Sequence, residues 1–203
     1  MTSIWRQSRP AEVRLSRRKA SSSRRGGAHK CKFKAYPPTG HMAKTHEYSA
    51  QVTWNGNLGA GTSTYQGYDR DYTVAIEGKP ELRGSADPMF RGSAELHNPE
   101  DLFVASISAC HLLSYLALCA RKGISVASYR DEARGTLELT PDGGGKFVDV
   151  ALNPLVTISS GEESVAIALH DEAHKQCYIA SSCSVPIRHN PIVKLASGPK
   201  PQE

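Results

Sequence analysis

Three side chains that can bind a metal or exchange electrons share one face of a predicted helix near the C-terminus. His170, His174 and Cys177 lie at positions i, i+4 and i+7, so they fall on the same side of consecutive helical turns. Two imidazoles and a thiolate are ligands that zinc favours, with Cys110 or His111 as a candidate fourth ligand. The same placement also allows Cys177 to be a redox partner of Cys110, and it is equally compatible with histidines that are solvated surface residues.

Cys110 lies in the middle of an earlier predicted helix, with Ser106 and Ser114 one turn away on either side. Cys119 is nine residues further on, which places its thiol half a turn away from that of Cys110. These two cysteines therefore point in opposite directions and cannot form a disulfide within one chain. We expect Cys119 to be a buried core residue, and Cys183, which follows the second helix, has no predicted partner.

Glu100 is the acidic residue at the start of the Cys110 helix, ten residues before the cysteine. A helix rises about 1.5 Å per residue, so the carboxylate and the thiol are about 15 Å apart along the axis. The two groups can share a site only if Glu100 comes from another subunit or acts through a long side chain such as arginine. A negative charge at a helix N-terminus is also favourable without any further role.

The Cys110 helix has the clearest boundary signals in the sequence. Asn98 is a good N-cap, Pro99 suits the first helical position, and Gly123 follows as a stop signal. Between them, residues 102–120 are almost all apolar or small, so we expect this helix to be buried on nearly all sides, at the centre of the domain or of an oligomer.

The remaining pattern predicts short strands and one more helix. Strands are expected at 48–54, 61–65, 71–77, 128–140 and 146–159, and a last edge strand at 186–193. Ser160 to Glu163 resembles a capping box that opens the second helix, which should reach about Ser181. This order predicts an α+β fold of antiparallel sheets with two helices.

The charge is divided unevenly along the 203 residues, a length that fits one domain. The net charge of +5 combines +10 over 1–41 with −5 over 42–203. We expect 1–41 to be a disordered basic tail: a leader, an arm that binds nucleic acid, or an over-extended or engineered start with Met42 as the real first residue. The domain of 42–203 is acidic and lacks the interleaved basic and aromatic residues typical of nucleic-acid binding, so no nucleic-acid partner is expected.

Two further features bear on the cellular compartment. No uninterrupted run of about eighteen apolar residues is present, so we expect neither a membrane-spanning helix nor a membrane partner. The five cysteines, which include Cys31, are an odd number in a chain long enough to bury a core. They predict reduced thiols in a cytoplasmic protein.

The segment around the first cysteine resembles a known family. Asn98-Pro-Glu-Asp-Leu, continuing to Ala109-Cys110, is similar to the signature of the OsmC/Ohr family of osmotically inducible and organic-hydroperoxide-resistance proteins. Cys177 falls where that family has its second cysteine, and Val52 to Thr64 is similar to the family's first hairpin. The similarity covers about 46–195, with His111 in place of a common aromatic residue and Tyr-Ile-Ala after Cys177 in place of Pro-Val-Ser.

The resemblance implies a thiol-dependent peroxidase that works as an intertwined homodimer with its sites at the subunit interface. Cys110 would attack the peroxide and become a sulfenic acid, and Cys177 would resolve it as a disulfide. The substrate would be an organic hydroperoxide, or hydrogen peroxide, and a dithiol or small thiol would be the reductant. No cofactor is expected, and the apolar helix favours organic peroxides.

The family also has an arginine–glutamate pair that keeps the thiolate ionised. Glu100 matches the glutamate. Arg70, just before a predicted strand, is our first choice for the arginine, and Arg91, in the loop before the helix, is the second.

Overall fold

The computed structural model describes residues 44–196. The basic tail predicted at 1–41, with Cys31, lies outside the described residues, as do 197–203. The described part is an α+β fold of three small sheets and two main helices, which confirms the predicted fold class.

The first sheet contains three antiparallel strands, β1 (Gln51–Trp54), β2 (Tyr72–Ala75) and β3 (Leu82–Gly84), in the order β1-β2-β3. The prediction of a strand at 61–65 is wrong, because this segment forms turns. Asn57 accepts hydrogen bonds from the amides of Gly59 and Gly61 at 2.9 and 3.0 Å. Both glycines have positive φ, a backbone conformation that an extended strand does not adopt.

The central helix, α1 (Pro99–Arg121), follows the predicted signals closely. The Asn98 side chain accepts a hydrogen bond from the Asp101 amide, and the Asp101 carboxylate accepts one from the Asn98 amide, forming a capping box. Gly123, with φ of 72°, ends the helix. Side chains of α1 contribute to both hydrophobic cores, Ile107 to one and Tyr115, Leu118 and Cys119 to the other, which confirms Cys119 as a core residue.

The prediction that α1 is buried on nearly all sides is wrong within one chain. Leu113 is 66% exposed, and Val104, Ala105, Ala109 and Leu112 line an open groove of about 830 Å³. By length and composition alone, α1 is also long and apolar enough to cross a membrane. The prediction that no segment of the chain has this length and composition is therefore wrong. Because its buried side chains build both cores, α1 is the core helix of this domain.

After α1, the described residues contain six strands in two sheets, where the sequence predicts two long strands and one edge strand. One sheet has the order β4-β7-β9 and the other β5-β6-β8. These strands are β4 (Ser125–Asp131), β5 (Arg134–Leu139), β6 (Gly145–Leu152), β7 (Pro154–Ser160), β8 (Ile187–His189) and β9 (Ile192–Leu195).

Both long predicted strands bend at one corner, where the chain passes from one sheet to the other. The Asn153 amide donates to the Asp131 carboxylate at 2.7 Å, and its side chain donates to the Glu132 carbonyl at 3.0 Å. The expectation of purely antiparallel sheets is also corrected, because β8 pairs with β6 and β9 with β7 in parallel. The single predicted edge strand is thus two short strands, one in each sheet.

The second main helix, α2 (Glu163–Gln176), begins without the predicted capping box. Ser160 ends β7, and Gly161 has φ of 112°. The Glu163 carboxylate accepts a hydrogen bond from the Leu195 amide at 2.6 Å rather than from Ser160. The helix also ends earlier than predicted, because Cys177 has extended dihedral angles and separates α2 from the one-turn helix α3 (Tyr178–Ser181).

Candidate active site

Cys110 and Cys177 lie together where α1 packs against α2 and α3. Cys110 is half-buried, whereas Cys177 is fully buried. The two thiols are close enough for Cys110 to raise the pKa of Cys177, and the Cys177 sulfur accepts a hydrogen bond from the Ala180 amide at 3.4 Å. The structure thus brings together two cysteines that are 67 positions apart in the sequence.

The environments of these two thiols differ in a way that separates their chemistry. Burial raises the pKa of Cys177 to about 11, and the contact with the Cys110 thiol contributes further to this increase. Cys177 is therefore protonated at neutral pH. A buried, protonated thiol is a poor first nucleophile but can react with a neighbouring sulfur that has already been oxidised.

Cys110 opens onto a cleft of about 600 Å³. Ser106 and Ser114 line this cleft, as their spacing predicts, together with Ala109, Leu113, Ala117, Arg121, Gln176 and Tyr178. Tyr178 is 83% exposed and directly follows Cys177. The sequence reasoning missed Arg121, although residues 110, 114, 117 and 121 share one face of the helix.

Arg70 and Glu100 line a different cleft, of about 400 Å³, together with Trp54, Tyr68 and Tyr72. The side chains that line the Cys110 cleft and those that line this one do not overlap. Burial raises the pKa of Tyr72, and the negative charge of Glu100 raises it further. Within one chain, the predicted arginine and glutamate therefore lie together in one cleft. Cys110 lies beside Cys177 and opens onto the other.

The Arg70 guanidinium is held by its own loop. It donates to the carbonyls of Tyr65, at 2.5 Å, and Tyr68. It also lies over both aromatic rings, 4.5 and 4.1 Å from their centroids. Asp69 and Asp71 flank it in the sequence, but Arg70 forms no ion pair with any carboxylate within residues 44–196. Its charge therefore remains available to an anionic group, such as a thiolate or a carboxylate, that enters the cleft.

The second candidate arginine, Arg91, is exposed and follows the 3-10 turn Pro88–Phe90. Its φ of 67° is a left-handed conformation that is unusual for a residue other than glycine. Arg91 lines neither the Cys110 cleft nor the Arg70 cleft. The structure thus places Arg70, rather than Arg91, beside Glu100.

The Arg70 loop depends on a close backbone contact at Gly56. A Cβ atom at this position would lie 1.8 Å from the Asp69 carbonyl oxygen, which accepts the Trp54 indole hydrogen bond at 2.8 Å. We predict that Gly56→Ala lowers the free energy of unfolding by about 1–3 kcal/mol, because the loop must move to admit the methyl group. Urea unfolding measures this, with the exposed Ser63→Ala on the same loop as the control; equal stability of both variants would contradict the prediction.

The predicted metal ligands do not form one site. His170 pairs with His111, His174 lies beside His189, and Cys177 contacts Cys110. Across 44–196, no group of three His, Cys, Asp or Glu side chains has a geometry that could hold a metal ion. The alternative of solvated histidines is wrong for His170, which is fully buried.

Comparisons of sequence and of structure with known proteins identify the family of this chain. Residues 92–190 match the family model described as OsmC-like protein. An OsmC-like protein of unknown function from Vibrio cholerae is 30% identical, covers 73% of this chain and 100% of its own, and superposes with a TM-score of 0.66. The chain belongs to the OsmC/Ohr family. A comparison with the curated proteins finds no match.

More distant members of the OsmC/Ohr family share the fold. An organic hydroperoxide resistance protein OsmC from Legionella pneumophila is 20% identical, with a TM-score of 0.55 over 74% of this chain and 98% of its own. An organic hydroperoxide resistance protein from Elizabethkingia anophelis is 18% identical, with a TM-score of 0.55 over 76% of this chain and 100% of its own.

Proposed function

We propose that this OsmC/Ohr family member is a thiol-dependent peroxidase that reduces organic hydroperoxides to alcohols. The observation that carries the proposal is the proximity of the half-buried thiol of Cys110 to the buried, protonated thiol of Cys177. The names of the Legionella and Elizabethkingia relatives, which refer to organic hydroperoxide resistance, support the same chemistry.

The proposed reaction has two steps at sulfur. The Cys110 thiolate attacks one peroxide oxygen, an S–O bond forms as the O–O bond breaks, and the departing alkoxide takes a proton to give the alcohol. The Cys177 sulfur then attacks the Cys110 sulfenic acid. Its thiol proton leaves with the hydroxyl group as water, and the disulfide that remains is reduced by a dithiol or a small thiol.

We further propose that the complete site is shared between two subunits of a homodimer. In one chain, the cleft of Cys110 contains Arg121 but neither Arg70 nor Glu100. The arginine–glutamate pair that the family resemblance assigns to the thiolate would therefore have to come from a second copy. The open apolar groove along α1 offers a surface against which a second copy can pack. Arg70 and Glu100 of the second copy would then face Cys110 of the first.

The cleft of Cys110 suits a substrate with an apolar part. Ala109, Leu113 and Ala117 form one of its walls, and apolar walls favour an alkyl or aryl group over a small polar peroxide. The reaction uses no cofactor, because both redox groups are side chains of the protein. It requires a reducing compartment such as the cytoplasm to regenerate the thiols.

Thiol counting tests the proposal. One equivalent of cumene hydroperoxide should remove two thiols per chain from the reduced wild-type protein, as measured in denaturant. The loss should fall to one thiol, the sulfenic acid, in Cys177→Ser and to none in Cys110→Ser. Cys183→Ser is the matched control and should still lose two, since the Cys183 thiol donates only to the Ile179 carbonyl. An unchanged count in the wild-type protein would refute the mechanism.

A further inference from the structure

A pair of buried histidines joins the two helices that carry the cysteines. His111, on α1, and His170, on α2, are 1% and 0% exposed. The Nε2 atom of His111 lies 2.9 Å from the Nδ1 atom of His170, a hydrogen bond between two neutral rings. The other nitrogen of each ring has no hydrogen-bond partner among the described residues. Within these residues, the bond between the two rings is therefore the one hydrogen bond that each ring makes.

Other aromatic side chains lie beside this pair. The rings of His111 and His170 are nearly parallel, with an interplanar angle of 13°, and Tyr115 stacks on His170 with a centroid distance of 3.9 Å. His189 lies beside both rings, 5.6 and 6.3 Å from them between centroids. Burial lowers the pKa of His111 to about 4 and that of His170 to about 3, so both rings are neutral at pH 7.

The rest of the contact between α1 and α2 is largely apolar. It consists of side chains such as Leu118, Ala166, Leu169 and Ala173. Apolar packing is non-directional and tolerates small shifts of one helix along another, whereas a buried hydrogen bond has a defined length and angle. Buried polar pairs are known to fix the register of packed helices. His111 directly follows Cys110, and His170 lies two turns before Cys177.

We propose that the His111–His170 hydrogen bond sets the α1–α2 register that places Cys177 against Cys110, which makes both histidines positioning residues for disulfide closure. This inference rests on the proposed peroxidase function. The closure step is the one given above, in which Cys177 is oxidised, the Cys110 sulfenic acid is reduced and one water is released. Attack of peroxide on Cys110 precedes this step and does not require Cys177 to be in place.

Substitution of His111 should therefore separate the two steps. His111→Met removes the hydrogen bond but keeps the approximate volume, whereas His111→Gln places an amide near the position of Nε2. In His111→Met, peroxide should oxidise Cys110 at a rate within about twofold of wild type, while disulfide closure slows on the order of tenfold or more. A dimedone probe should therefore trap more of the Cys110 sulfenic acid than in the wild-type protein. The long-lived sulfenic acid should then be over-oxidised to sulfinic acid under excess peroxide.

The controls distinguish positioning from general damage. His111→Gln should close its disulfide at close to the wild-type rate, and so should His189→Gln, which alters a neighbouring ring that bonds to neither partner. Mass spectrometry follows the sulfenic acid, the disulfide and the sulfinic acid in one time course. If His111→Met does not fold, His170→Leu and His170→Asn form the equivalent pair, because the Asn amide lies near the position of Nδ1.

Three outcomes are decisive. Wild-type closure in a folded His111→Met or His170→Leu variant would overturn the positioning role, and so would slow closure in both His111→Gln and His170→Asn. Absence of a dimedone adduct on Cys110 in peroxide-treated Cys177→Ser, which cannot close the disulfide, would instead refute the proposed peroxidase function on which the inference rests.

Discussion

Lowering the pH from 7 to 5 should reduce the free energy of unfolding by about 2 kcal/mol, because His111 is buried in the folded domain and resists protonation there. The pKa of His111 is lowered from 6.5 to about 4 by burial and, to a lesser degree, by His189 and His174. The pKa of His170 is lowered to about 3, mainly by burial and then by His111. In the unfolded chain both rings bind a proton below about pH 6.5.

The direction of this effect follows from proton linkage. The unfolded chain binds more protons than the folded domain between pH 6.5 and the lowered pKa values, so stability falls as the pH falls through this range. Above about pH 7 both states hold neutral rings, and the stabilisation is fully present. Because His111 and His170 are hydrogen-bonded to each other, the two rings titrate as a pair and their contributions should not be added.

Urea unfolding of the domain at pH 7 and at pH 5 measures the change. The double variant His111→Gln/His170→Asn keeps polar groups in place of the rings but does not titrate, so its stability should differ much less between the two pH values. His174 and His189, which are half-buried, are present in both proteins. An equal pH dependence in the wild-type protein and the double variant would show that the buried pair is not responsible.

The signals that correctly predicted α1 are local ones. Asn98, Pro99 and Gly123 act on backbone groups within one turn of themselves, so their effect is encoded by neighbouring residues. The capping box predicted at Ser160 failed for the opposite reason. The Glu163 carboxylate binds the Leu195 amide, a partner more than thirty residues away that no local pattern reveals.

The strands show a similar limit of sequence patterns. The alternation of residues 128–140 and 146–159 predicts extended chain, and most of both segments is extended. The passage of each segment from one sheet to the other depends on bonds between Asn153 and the chain at Asp131 and Glu132. The parallel pairing of β8 and β9 depends on the path that the chain takes through α2 and α3 after β7. Hydrophobic periodicity does not specify this path.

The candidate site could likewise be predicted only in part from the sequence. Cys110, Cys177 and Glu100 were found from spacing and from a family resemblance, and the structure groups the two cysteines. The helical spacing of His170, His174 and Cys177 predicts a set of metal ligands on α2 as one of several alternatives. Their actual partners, His111, His189 and Cys110, come from α1 and β8. Helical spacing shows which side chains share a face but does not show which face of another element they meet.

Two inactive variants should restore peroxidase activity when they are mixed, if the site is shared between subunits. Cys110→Ser lacks the nucleophile, and Arg70→Met lacks the cation that we propose serves the partner's thiolate. In a mixed dimer, Cys110 of the Arg70→Met subunit faces the intact Arg70 of the Cys110→Ser subunit. Random pairing makes half of the dimers mixed, each with one complete site, so activity should reach about a quarter of the wild-type level.

The alternative arrangement gives a different result in the same experiment. If Arg70 serves Cys110 of its own chain, every mixed dimer contains two defective sites and the mixture stays inactive. The two variants are denatured and refolded together, and activity is followed with cumene hydroperoxide. Arg91→Met mixed with Cys110→Ser is the matched control: because Arg91 lies outside the Glu100 cleft, Arg91→Met should be active before mixing. The separation of Arg70 and Glu100 from Cys110 within one chain favours restoration, since a complete site then requires the second subunit.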